Sequence, residues 1–80
     1  MENKSLASLA EHIPALVVDI RPGSLAPRLV EMGLCKGTVV VVLFRAPFGG
    51  PMAVDIGDSV LSLRMDEAEQ IIIAEEHNGW

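Results

Sequence analysis

Apolar and polar positions alternate in short runs along this chain, and the runs change period where glycine and proline interrupt them. Val39–Phe44 is a run of six apolar residues, β-branched for most of its length and too short for a core helix, so it predicts a buried strand over 38–45. Met52-Ala53-Val54-Asp55-Ile56 alternates with a period of two and predicts a half-buried strand. Between them, Pro47, Gly49, Gly50 and Pro51 can continue neither a helix nor a ladder, so Arg45–Pro51 is predicted as a hairpin-like corner. Three more strands are predicted. Ala15–Ile20 is a nearly continuous apolar run, Ser59–Arg64 places Leu61 and Leu63 on one face, and Gln70–Ala74 is rich in isoleucine. Gly57-Asp58 makes a tight connection between the third and fourth of these strands.

Helical spacing occurs in two places. Leu6, Leu9, Ala10 and Ile13 predict a short N-terminal helix over 5–13, capped by Ser5 or Ser8 and stopped ahead of Pro14. Leu25, Leu29 and Met32 line one face of a second helix over 25–32, with Ser24 as N-cap, Pro27 in the first turn and Gly33 at the left-handed position that closes it. Asp66–Glu69 adds a single turn before the last strand. The expected architecture is mainly β. It is a small five-stranded, SH3-like barrel over 15–75 with a helix between its first and second strands, in one domain spanning 1–80 with a flexible tail over 76–80.

Composition narrows the function. Eighty residues leave room for one core, and with 50% apolar residues but only 4% aromatic ones that core must be aliphatic. A net charge of −5 repels both nucleic acid and anionic lipid, and suits a basic protein surface or plain solubility. The longest apolar run is far short of the ~20 residues that span a bilayer. The N-terminus lacks the layout of a signal peptide, and a single cysteine fits a reducing compartment. A cytoplasmic protein that neither inserts into membranes nor binds nucleic acid is therefore expected.

Catalytic constellations are missing from the pattern. Gly49-Gly50 lacks the Lys-Ser/Thr and following helix of a phosphate loop. No His lies near Cys35 in sequence to act as a base, and no paired carboxylates can be argued from spacing. His12, His77 and Cys35 share no metal-ligand spacing. A weak site for Fe(II) or Zn(II) would have to draw on His77, with Glu75 or Glu76, or on Cys35, and no firm cofactor is expected. Cys35 itself is expected to be a partly buried structural thiol. The strongest interaction candidate is Phe48, a large apolar residue between Pro47 and Pro51 on a loop tip, with Arg45 and Arg64 at neighbouring strand ends. It either folds back to plug the barrel or stands out as a contact point. The strand 38–45 is apolar on both faces. Its outer face must be covered by the helices or left as a patch for self-association or a partner.

Several segments together resemble the FeoA family of small accessory proteins of ferrous iron uptake. They are Gly33-Leu34-Cys35-Lys36-Gly37-Thr38, Arg45-Ala46-Pro47-Phe48-Gly49-Gly50-Pro51, Leu61-Ser62-Leu63-Arg64 and Glu67-Ala68-Glu69-Gln70-Ile71. The resemblance implies an SH3-like barrel without catalysis that docks on FeoB, the membrane iron transporter with a cytosolic nucleotide-binding domain, and modulates it. The alternative is a transition-metal-binding or metal-responsive module. Similar domains close the C-terminus of metal-dependent repressors, but this chain has no helix-turn-helix region.

Overall fold

A computed structural model describes residues 4–75. The chain runs β1 (Lys4–Ser5), a 3-10 turn (Leu6–Ser8), β2 (Ala15–Ile20), α1 (Ala26–Glu31), β3 (Val39–Arg45), β4 (Met52–Asp55), β5 (Val60–Leu63), α2 (Met65–Ala68) and β6 (Ile71–Glu75). Every strand pairing is antiparallel, in the order β1-β6-β2-β3-β4-β5. β3 belongs to both halves of the sheet. Val39 and Val40 pair with β2, while Val41, Val42, Phe44 and Arg45 pair with β4, so the sheet turns along this one strand.

The period-two pattern delivers the core. Ala15 and Val17, Val40 and Val42, Met52 and Val54, Leu63, and Ile71 and Ile73 all point inward and are buried. Leu6 and Leu9 near the N-terminus, Leu29 of α1, Leu34 just beyond it and Ala68 of α2 complete the cluster, which among the described residues contains no aromatic residue. Leu25 and Met32, predicted on the same face as Leu29, pack against it from the rim.

The close of α1 follows from Gly33. Its φ is +101°, its N–H donates to Val30 O (2.9 Å), and Leu34 N–H donates to Leu29 O (3.1 Å). These two bonds are the Schellman pattern, which brings the residues at its two ends, here Leu29 and Leu34, together. Both are fully buried. A Cβ on Gly33 would also sit 3.0 Å from Ile56 Cδ1. Gly33→Ala is therefore expected to lower stability by ~1–2 kcal/mol, read as a lower urea midpoint with an unchanged slope.

Three expectations are corrected. The N-terminal helix over 5–13 is instead a two-residue strand and one 3-10 turn. Leu6 and Leu9 are three residues apart, the spacing a 3-10 turn stacks, and both are fully buried, whereas Ile13 is 39% exposed. Lys4 and Ser5 pair with Ile73 and Ile72, which gives the sheet a sixth strand where five were expected. Ser24 does not cap α1; Leu25 holds the N-cap position without a side-chain bond, and Pro27 lies in the first turn as predicted. The tail over 76–80, with His77, lies outside the described residues.

Candidate functional site

The corner between β3 and β4 is built by backbone geometry. Ala46 N–H donates to Pro51 O (2.9 Å) and closes the loop, and within it Gly50 N–H donates to Pro47 O (3.2 Å). The two central residues of that inner turn are left-handed, Phe48 at φ +61° and Gly49 at φ +73°. This is the pattern of a type I′ turn, whose first central position favours Asn, Asp or Gly. A Cβ on Gly50 would meet Ala46 Cβ at 2.8 Å, so the loop closes this tightly only with glycine there.

Phe48 breaks the turn's own preference. A bulky side chain at positive φ is strained, typically by ~1 kcal/mol or more, and packing would ordinarily offset that. Here it does not, because Phe48 is 103% exposed. The plug alternative is thereby settled against: nothing of the barrel covers the ring.

A second apolar element adjoins the corner because of a bulge in β3. Val42 pairs with Val54, but Phe44 pairs with Ala53 and Arg45 with Met52, leaving Leu43 as the extra residue. The inward-outward parity reverses there. Phe44 turns out, 57% exposed, and Arg45 takes the inward position at the end of the strand. A shallow groove opens on the outer face, lined by Phe44, Ala46, Pro51, Ala53, Val60 and Ser62. Val60 is as exposed as Phe44, at 57%.

The two arginines expected to flank Phe48 part company. Arg45 is consumed by the fold: its Nη2 donates to Ala7 O (2.8 Å) and Leu6 O (3.3 Å), and its N–H donates to Glu11 Oε2 (3.0 Å). It ties the 3-10 turn to β3. Arg45→Met, which keeps the apolar stem, is expected to cost ~1–3 kcal/mol in chemical denaturation, because those carbonyls lose a charged donor. Arg64 follows Leu63, which pairs with Met52, and so lies beside Pro51. Its side chain is 77% exposed, with Nε only 3.7 Å from Asp66 Oδ1. Of the predicted set, Pro47, Phe48, Gly49, Gly50, Pro51 and Arg64 gather at this corner, and Arg45 faces away from it. Phe44 and Val60 were not singled out as site residues, since the bulge that exposes Phe44 has no signature in an unbroken apolar run.

Cys35 lies on another part of the surface. It is exposed, which corrects the expectation of a partly buried thiol. Its Sγ stands 3.6 Å from Thr38 Oγ1, beside a groove shared with Asp19, Ile20, Ala26, Val30 and Lys36. His12 is exposed at φ +67°, and its N–H donates to Val42 O (2.8 Å). Among the described residues no three or more His, Cys, Asp or Glu side chains come together as a metal-ligand group.

One buried charge supports the fold near the corner. Glu67 of α2 is 3% exposed; its Oε1 accepts the Arg64 N–H (2.9 Å) as the acidic half of a capping box. Its Oε2 lies 3.3 Å from Arg28 Nη1, close enough for an ion pair but out of line for a hydrogen bond.

Comparison with known proteins covers the whole described chain. The family model of the FeoA domain matches residues 4–75. The FeoA-like protein from Clostridium acetobutylicum is 28% identical, with a TM-score of 0.87 over 98% of this chain and 94% of that one. The FeoA of Stenotrophomonas maltophilia, solved in complex with zinc and described as a prokaryotic SH3 domain protein, is 29% identical, with a TM-score of 0.77 over 88% of each chain. A manganese-dependent transcriptional repressor shares the fold at 18% identity and a TM-score of 0.86, with 95% of this chain covering 38% of the repressor. No curated protein sequence matches this one.

Proposed function

The chain belongs to the FeoA family, which is associated with ferrous iron transport, and from that premise we propose that it acts as a cytoplasmic accessory protein that docks on a FeoB-type transporter. The docking point is the Phe48 corner, and the protein modulates the transporter by contact, without catalysis of its own. The observation that carries this reading is Phe48 itself, fully exposed on a strained turn that another residue type would make more easily. Anchors of this kind, an aromatic ring on a rigid support, supply a large share of binding energy at protein interfaces. Phe44, Pro51 and Val60 extend the apolar surface next to it, and Arg64 supplies an exposed charge at its rim. Among the described residues no helix is long and apolar enough to cross a membrane, so contact with a transporter would be made at its cytosolic part.

The test is a titration of the transporter's isolated cytosolic domain with this chain, in its GDP-bound and GTP-bound forms. Saturable binding in at least one form is expected. No binding in either form would overturn the reading.

A further inference from the structure

β5 ends the sheet, and its outer edge is open. Val60–Leu63 pair with β4 on one side, and among the described residues no backbone hydrogen bond reaches these four from the other side. Exposed edges are usually blunted by charge, proline, a bulge or brevity. β1, at the opposite end of the sheet, is two residues long and carries Lys4. β5 reads Val-Leu-Ser-Leu; it carries no charge, proline or bulge, and it is twice the length of β1.

We propose that this edge binds a second copy of the same chain, the two β5 strands pairing antiparallel about a two-fold axis at Leu61. The proposal goes beyond the docking corner and does not depend on it. In an antiparallel pair, directly opposed residues share a face, so a symmetric register must centre on a residue rather than between two. Centring on Ser62 sets Asp58 against Asp66 of the second copy and leaves Arg64 against Val60. Centring on Leu61 sets Asp58 against Arg64 at both ends, Val60 against Ser62, and Leu61 against its own symmetry mate.

The charges and the apolar surface both favour the Leu61 register. Asp58 and Arg64 are exposed and lie at the two ends of the edge. The outward row Phe44, Ala53, Ser62 continues into Val60 of the second copy. Two side chains each 57% exposed thus flank and close over the small Ala53 and Ser62 between them. Leu61, half-buried at the rim of the core, is covered by its counterpart. The edge is short, so the dimer is weak and forms at high protein concentration.

Sedimentation equilibrium up to millimolar concentration should show the mass rising from 8.6 kDa towards twice that value. Asp58→Arg and Arg64→Asp should each weaken the dimer about tenfold, since each sets like charges against one another at both ends. Combining them should restore it to within about threefold of the parent, because the pairs re-form with their signs exchanged. Val60→Lys should abolish the dimer while leaving the thermal melt unchanged. Monomer at every concentration, single substitutions without effect, or a combined variant no tighter than the singles would each overturn the proposal. Loss of the dimer on Phe48→Gly rather than on Val60→Lys would place the contact at the corner and overturn it as well. Slowed amide exchange at Val60–Leu63 only when the transporter's cytosolic domain is added would give the edge to that partner instead.

Discussion

Replacing Phe48 by glycine is expected to weaken binding to the transporter's cytosolic domain severely while leaving the protein as stable as before, or more stable. The two halves of this result come from one geometry. The ring touches nothing in its own chain, so its removal opens no cavity. The backbone at φ +61° is one that glycine adopts freely, so relief of strain offsets glycine's greater freedom in the unfolded chain. The melting temperature should therefore hold or rise by a few degrees. Affinity should fall by about thirtyfold or more, as when a central aromatic anchor is truncated. Titration and thermal melting of the same variant separate the outcomes. A variant that loses stability and keeps binding would mean that the ring serves the fold.

Glu67→Ala is expected to be the most damaging single change outside the core, costing ~2–4 kcal/mol of the roughly 4–12 kcal/mol that a chain of this size has. Three losses combine. The Arg64 N–H at the start of α2 loses its acceptor, the buried methylenes leave a hole, and Arg28 loses its counter-charge. Arg28→Ala should cost less, ~1–2 kcal/mol, because Arg28 is 62% exposed and water screens part of the pair. It still costs more than an ordinary surface change, since it leaves the Glu67 carboxylate buried without its partner charge. Urea denaturation of the two single variants and the double variant measures the coupling. Strictly additive losses would show that Arg28 and Glu67 do not act as a pair.

Much of the barrel is legible from short apolar runs and, at β4 and β5, from period-two alternation. β2 to β6 fall where the apolar runs place them, and Gly33 and Gly57 take the positive φ that their turns require. What escapes is decided by pairing rather than by local pattern. Leu6 and Leu9 serve a 3-10 turn as readily as an α-helix, and only the edge offered by β6 draws Lys4 and Ser5 into the sheet. The bulge at Leu43 lies within a run of six apolar residues, where no change of residue type marks it, yet it decides that Phe44 faces out and Arg45 faces in. The corner shows the same division. Its glycines and prolines announce a turn, and Phe48 stands out on composition alone. That the ring is not a plug is legible only in the structure, where Phe48 sits at a left-handed φ and is fully exposed. The ion pair between Arg28 and Glu67, far apart in the sequence, had no local signal at all.

The most direct test of contact through the corner is amide chemical-shift mapping of the labelled chain against the transporter's cytosolic domain. Perturbations centred on Phe48, Gly49 and Gly50, spreading to Phe44 and Arg64, are the predicted result. Perturbations centred on Cys35, Lys36 and Val30, with the Phe48 turn unmoved, would contradict it.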